Sequence, residues 1–390
     1  MRVALVSGYD LSIPGGVQGQ VRALAGELAR RGLEVAVVTP FAKGAGPSPL
    51  PASVELLRAG RGIGLPVNGS VAPVAPTPLA AASAIRALSS FRPDVVHVHE
   101  PLVPGPPLAA VLAGPRPIVA TFHRAGADRL YRAAGRVFGP VAGRRIDVAI
   151  AVSAAAAVTA GEVFGRHLEA IGEVGNGVEL SRFQRARLPF EGDPSTSRTW
   201  KNGEYPVVAF AGRHEQRKGL AVLLDAFAGL AEDVRLDVIG DGPESASLRR
   251  RSAGAPRVCW RGAVDDEELA RVLARADVFA APSVGGESFG VVLLEAMAAG
   301  TAVVASDIAG YRLAAGDAAV FVPPADATAL AGAISALLAH HRERRDLVGR
   351  GFARALACSA PVLADRYVEI YRGALSPTAA RRSGASGRLS

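Results

Sequence analysis

The stretch "GGESFGVVLLEAMAAG" (285–300) sets two glutamates, Glu287 and Glu295, eight residues apart in an otherwise apolar run. The plainer reading makes Glu287 a helix cap and Glu295 part of a solvated face. The sharper reading gives both carboxylates to one long ligand. Ser288 is the expected N-cap, the apolar run the helix, and Gly300 its C-terminal stop. Such a helix start offers the backbone N–H groups of Phe289, Gly290 and Val291 to an anion, phosphate above all. Gly290 would let that ligand come close to the backbone. At about 1.5 Å of rise per residue, the spacing covers roughly 12 Å. Carboxylates that far apart do not share one metal or one proton. They suit opposite ends of a nucleoside-diphosphate-sugar, one on the sugar hydroxyls and one on the ribose.

A second constellation, "FAGRHEQRKG" (210–219), places Arg213 and Lys218 just after a strand. Two fixed cations there would neutralise a leaving diphosphate without a metal. Basic residues after a strand are more often merely solvated, and the phosphate-type helix end in the same half tips the balance to a ligand. In "SIPGGVQGQV" (12–21) the pair Gly15–Gly16 joins a strand to a helix and offers a diphosphate-approach loop. The dinucleotide fingerprint G-x-G-x-x-G is absent and the second strand ends in Thr39–Pro40, which disfavours a dehydrogenase. His123 closes "IVATFH" at a strand tip, where structural and catalytic roles are evenly balanced. In "VDDEEL" (264–269), Asp265 and Glu268 have capping-box spacing. A second reading gives Asp266 or its neighbour to a guanine edge as a carboxylate partner.

These residues need elements to position them. "RVALVS" (2–7), a helical-period segment ending in Gly32, and "EVAVVTP" (34–40) form a strand–helix–strand unit, hence a right-handed parallel crossover. Buried-strand runs recur at 94–99, 117–123 and 148–153. A second series follows at 206–212, 235–242, 258–262, 278–283 and 302–306. The polar, Pro/Gly/Ser-rich segment 185–205 reads as a linker, and 376–390 as a disordered tail. The expected layout is an N-terminal domain (1–184), the linker, and a C-terminal domain (206–360). Both are doubly wound, with ligands at the carboxyl ends of their strands.

Composition fits this picture. The chain has 390 residues, 49% of them hydrophobic and 21% charged, enough for two cores. The 5% aromatic content gives no stacking platform for single-stranded nucleic acid. Of 44 basic residues only Lys43, Lys201 and Lys218 are lysines, so the net charge of +8 owes as much to arginine-rich composition as to an anionic partner. Cys259 and Cys358 have no metal or disulfide spacing, which suits a cytoplasmic setting. The first residues form a strand rather than a signal peptide, and the uncharged run 148–161 is too short to span a bilayer.

Taken in order, "PGGVQ", "HVHEP", "ATFH", "AVS", "NGV", "GRHEQRKG", "GDGPE" and "GGESFGVVLLEAMAAG" resemble glycosyltransferase family 4, retaining enzymes of the GT-B fold, up to about residue 375. Through "YDLSIPGGVQ", "NGSVA", "HEP" and "GGESFG" the chain is most similar to actinobacterial phosphatidylinositol α-mannosyltransferases. The resemblance implies two Rossmann-like domains facing across a cleft, with a C-terminal helix (about 361–375) crossing back to the first. It implies Glu287 on the donor sugar, Glu295 on the ribose, and Arg213, Lys218, Gly16 and the Phe289–Val291 amides at the diphosphate. His123 would meet the sugar, and Tyr9, Gln18, Asn68 and Ser70 would line the acceptor side. It further implies transfer with retention, without a metal or other cofactor. Two features depart from the mannosyltransferase pattern. Pro73 stands where those enzymes carry an arginine, and "TPLAAASAIRALSSFRP" lacks their basic cluster. The helical spacing of Arg129, Arg132 and Arg136 near Leu130, Tyr131, Val137 and Phe138 fits either a solvated face or contact with an anionic inner membrane.

The expected function is hexose transfer, mannose from GDP-mannose first, to an acceptor hydroxyl, phosphatidylinositol first. The partners are then a nucleotide-sugar and an acceptor, with no nucleic acid. The alternatives are a UDP-sugar or soluble acceptor, a nonhydrolysing sugar-nucleotide epimerase, and a non-catalytic basic binding module.

Overall fold

Successive residues of a strand feed opposite faces of its sheet, and the computed structural model shows that alternation. The structure describes residues 1–13, 15–41, 48–67, 70–168, 170–187 and 205–376. Along β1 (Arg2–Ser7), Val3 and Leu5 enter one core, while Ala4 and Val6 enter the core on the other face. Both faces are therefore covered, as a parallel sheet requires.

The chain divides into two compact units. The first runs to Gly177 and takes the chain up again from Ala360. After β1 come α1 (Gly16–Arg30), β2 (Glu34–Thr39), β3 (Val54–Arg58) and an antiparallel hairpin of β4 (Ile63–Val67) and β5 (Ser70–Val74). Then follow α2 (Pro78–Phe91), β6 (Val95–His99), α3 (Pro106–Ala113), β7 (Ile118–Phe122) and α4 (Arg129–Arg145). β8 (Val148–Ala151), α5 (Ala154–Phe164) and β9 (Ile171–Glu173) complete the run. The sheet is parallel, in the order β3-β2-β1-β6-β7-β8-β9. Side-chain caps start α2, α4 and α5: Thr77 accepts from the Ala80 amide, Asp128 from Tyr131 and Ser153 from Ala156.

The second unit spans Val178–Ser359. It opens with α6 (Leu180–Arg187) and continues through β10 (Val207–Ala211), α7 (Leu220–Ala228), β11 (Arg235–Ile239) and α8 (Ser245–Arg251). β12 (Val258–Gly262), α9 (Asp266–Arg275), β13 (Val278–Ala281), α10 (Val291–Ala298) and β14 (Ala302–Ser306) follow. The unit closes with α11 (Ala309–Ala315), β15 (Val320–Val322), α12 (Ala327–Ala339) and α13 (His341–Ala357). Its parallel sheet has the order β12-β11-β10-β13-β14-β15. The final helix, α14 (Ala360–Leu375), returns to the first unit, where Leu363, Ala364, Tyr367, Val368 and Tyr371 join the core that also holds Leu24 and Leu28 of α1.

Two expectations change. The divide falls after Gly177 rather than after residue 184, because α6 buries Phe183 and Ala186 in the core shared by α9 and α10. Of the expected linker, 185–187 finish α6, and 188–204 lie outside the described residues, as do 377–390 of the expected tail. The short edge strands β3, β9 and β15 and the β4–β5 hairpin add to the strands read from sequence.

Candidate active site

In the second unit, β10 ends at Ala211 and the chain passes through Arg213, His214 and Glu215 into a tight helical turn, Gln216–Lys218. Gly219 then starts α7 with φ +68°, and a Cβ there would overlap the Pro282 carbonyl oxygen. Only glycine satisfies both demands. The turn aligns three cations around two carboxylates, Glu215 buried and Glu287 only 10% exposed. Glu215 accepts from Arg213 Nε at 2.6 Å and from Arg217 Nε at 3.1 Å. Glu287 Oε1 takes Lys218 Nζ at 2.6 Å, Arg217 Nη1 at 2.9 Å and Ser283 Oγ at 3.3 Å. Ser283 is fixed in turn by the Tyr311 hydroxyl at 2.7 Å. Burial alone would push the Glu287 carboxyl up. The Lys218 ammonium, with Arg217 and Ser283, outweighs it and holds the carboxyl below its usual value. Glu287 is thus a desolvated, ionised acceptor beside cations that suit a diphosphate.

The helix following Glu287 differs from the sequence expectation. α10 begins at Val291, its N-cap is Gly290, and no side chain caps it, so Ser288 is not the cap. Only Val291 of the expected amide trio lies in the helix, while Phe289 is buried in the core. Gly290 adopts φ +99°, and a Cβ there would overlap the Tyr311 ring. The protein's own packing therefore demands that glycine, whether or not a ligand approaches. Since 287–290 is not helical, the 12 Å separation drawn from helical rise does not apply, although Gly300 does end the helix with φ +78°. Glu295 is half-buried on α10. Asp265 caps α9 through the Glu268 amide, but the Glu268 carboxylate goes to Arg271 rather than back to the cap. The Asp266 carboxylate pairs with Arg182 at 3.2 Å.

In the first unit, the carboxyl ends of β6 and β7 bring His99, Glu100 and His123 together. His99 Nδ1 lies 2.9 Å from His123 Nε2, with the rings stacked 5.2 Å apart. The Glu100 carboxylate accepts the His123 backbone N–H and a hydrogen bond from Tyr131. Burial pushes Glu100 upward against the pull of that amide and of Arg124. Burial also lowers His123 to about 4 and His97 to about 3, so both stay neutral at physiological pH. Tyr9 is half-buried after β1, and burial followed by the Glu100 charge raises its phenol well above the ordinary value. Gln18 is buried and folds back over Gly15. Gly16 starts α1 with open space where a Cβ would stand, so the fold itself does not require glycine there. Ser70 opens β5, and Asn68 lies outside the described residues. Pro73 is built into the hairpin wall beside Tyr9: its carbonyl accepts the Asp10 amide at 2.9 Å, and its neighbour Val74 bridges to Tyr9.

Sequence reasoning missed Arg217, Glu215, Ser283 and Tyr311, as well as His99, Glu100 and Tyr131. The run Arg217–Lys218 and the alternating histidines of "HVHEP" were the available signals. Ser283 and Tyr311 carried none. Among the described residues, no group of three or more His, Cys, Asp or Glu is placed to hold a metal, and no helix is long and apolar enough to cross a membrane.

Residues 14–182 match the family model "Glycosyltransferase Family 4", and residues 205–340 match "Glycosyl transferases group 1". The chain is 36% identical over 378 residues to a phosphatidyl-myo-inositol mannosyltransferase of Mycobacterium leprae, covering 95% of this chain and 96% of that protein. It is 38% identical over 321 residues to the Propionibacterium freudenreichii protein of the same name, covering 80% and 78%. Among solved structures, Anabaena Alr3699/HepE in complex with UDP and glucose superposes with a TM-score of 0.70 at 19% identity. That match covers 96% of this chain and all of that one, and it is a likeness of fold.

Proposed function

The chain belongs to glycosyltransferase family 4, with the GT-B fold, and from that premise we propose that it transfers mannose from GDP-mannose to an acceptor hydroxyl with retention of the α configuration. Membership removes the epimerase and the non-catalytic basic module. The observation that carries the nucleotide-sugar reading is the cradle of Arg213, Arg217 and Lys218 around Glu215 and Glu287, while the choice of mannose rests on similarity to mannosyltransferases. Three cations against two carboxylates leave a net charge of +1 on the cluster that joins the turn after β10 to Glu287. Negative charge developing on the departing diphosphate meets fixed cations there, and preorganised charge of this kind is worth about 10²–10³ in rate per donor. Glu287, kept ionised, accepts from a sugar hydroxyl. His123, kept neutral, is suited to giving a sugar hydroxyl a hydrogen bond rather than a proton.

The acceptor reading rests on the 36% identity to mannosyltransferases over nearly the whole chain, and phosphatidylinositol is the first candidate. Peripheral contact with an anionic inner membrane, from the cytoplasmic side, is supported by α4. Its exposed face mixes Arg129, Arg132 and Arg136 with Leu130 and Val137, which are 74% and 66% exposed.

Labelled GDP-mannose, UDP-glucose and other nucleotide-sugars offered with phosphatidylinositol vesicles and soluble acceptors provide the test. The expected result is an α-mannosyl lipid formed from GDP-mannose at a rate unchanged by EDTA. The mannosyl reading fails if calorimetry finds no GDP binding and Glu287→Gln leaves transfer intact.

A further inference from the structure

His99 is one of the most enclosed polar groups of the first unit, and its hydrogen bonding is one-sided. Its Nδ1 meets His123 Nε2, while its Nε2 is buried without a hydrogen-bond partner among the described residues. The ring is held on its other side by His97, whose centroid lies 4.3 Å away at 31°. His97 is fixed at both nitrogens, by the Tyr371 hydroxyl and by Thr121 Oγ1, each at 2.7 Å, and Thr121 also meets the Tyr367 hydroxyl at 3.0 Å. Two tyrosines of the returning helix α14 thus anchor a stack that ends on His123.

Two proton arrangements fit the 2.9 Å contact between neutral rings. If His123 donates through Nε2–H, His99 must carry its own proton on Nε2, leaving a buried N–H with no acceptor. If His99 donates through Nδ1–H, the unpaired atom is a bare ring nitrogen. Orphaned buried N–H groups are rare because their desolvation is not recovered. The second arrangement is favoured, and it leaves His123 with its single proton on Nδ1. Both rings are neutral at working pH, because burial lowers each of them. Glu100 holds the His123 backbone N–H, so the ring pivots on a fixed point.

We propose that His99 is a positioning residue that fixes His123 as its Nδ1–H tautomer, so that His123 presents one hydrogen-bond donor to an oxygen of the donor sugar. The consequence for sugar transfer rests on the role given to His123 above; the tautomer itself does not.

Histidine-selective ¹⁵N labelling and long-range ¹H–¹⁵N correlation of the full chain read the tautomer without any substrate, with His123 identified by the signal missing from His123→Ala. The expected spectrum shows a protonated Nδ1 and a bare Nε2 on His123. In His99→Leu the two His123 nitrogens average toward a tautomer mixture, and in His99→Gln, whose amide can donate to Nε2, the Nδ1–H form returns. Turnover by His99→Leu falls about 10- to 100-fold, the range expected for a misplaced group, with KM for the donor changed less than kcat, and His99→Gln recovers most of it. A protonated Nε2 on wild-type His123 overturns the proposal, and so does an unchanged Nδ1–H form in folded His99→Leu. The wild-type spectrum decides the assignment even if His99→Leu does not fold. A lost tautomer with undiminished turnover removes His123 from the sugar while leaving the positioning by His99 intact.

Discussion

Replacing Lys218 with methionine keeps an unbranched stem of nearly the same reach and deletes the ammonium 2.6 Å from Glu287 Oε1. At that distance and an effective dielectric of about 20, Coulomb's law gives a gross attraction of about 6 kcal/mol. Desolvation offsets much of it, since Glu287 and Lys218 side chains are only 10% and 17% exposed. Arg217, at 2.9 Å and 31% exposed, stays as a second partner and limits the loss. The net cost should be about 1–3 kcal/mol, below the 3–5 typical of stranding a buried charge altogether. The pH dependence gives a sharper readout. In the wild type the Glu287 carboxyl lies below its ordinary value, so its contribution is present at neutral pH and is lost as pH falls through that lowered value. Without Lys218, less counter-charge holds the carboxyl down against burial, the folded and unfolded values draw together, and the loss of stability on acidification shrinks. Urea unfolding at several pH values between about 4 and 8 measures this in Lys218→Met, Glu287→Gln and the double variant. The cycle should return a coupling of about 1–3 kcal/mol at neutral pH that shrinks on acidification. A coupling within about 0.5 kcal/mol of zero, with the wild-type pH profile retained in Lys218→Met, would refute the cradle as an energetic unit. Transfer should fall about 10²–10³-fold in the same variant.

Gly16→Ala should raise stability by about 0.5–1 kcal/mol, since α1 gains a better helix former and nothing crowds the new methyl. The same change should weaken nucleotide-sugar binding, and thermal unfolding beside calorimetry separates the two. Tyr371→Phe strands a nitrogen of fully buried His97, and a urea midpoint lower by about 1–3 kcal/mol of stability is expected. His97 and His123 are held near 3 and 4 when folded, against about 6.5 unfolded, so the unfolded chain takes up their protons first. Stability should therefore be complete above about pH 7 and fall progressively as pH drops from about 6.5 toward 4, as equilibrium unfolding across that range will record.

The sequence by itself determined the strand series, the parallel doubly wound class and the strand ends at which Arg213, Lys218 and His123 appear. These follow from local physics, because a strand buried on both faces reads as a near-continuous apolar run, as in "VALV" (3–6) and "VFAA" (278–281). Edge strands such as β3 and β9 bury less and carry a weaker signal. The proline-bearing hairpin β4–β5 lacks the alternation that would mark it. Partners separated by long stretches of chain were not legible at all. Arg217 reaches Glu287 across 70 residues, and Ser283 reaches Tyr311 across 28. His97 meets Tyr371 across 274 residues, because α14 returns to the first sheet. The residue that caps α10 was likewise decided in three dimensions, where Tyr311 fills the space that any side chain at position 290 would occupy. Residue types and spacing name the chemical groups; which carboxylate is ionised, which histidine stays neutral and which glycine is obligatory depend on burial and neighbours that only the folded chain supplies.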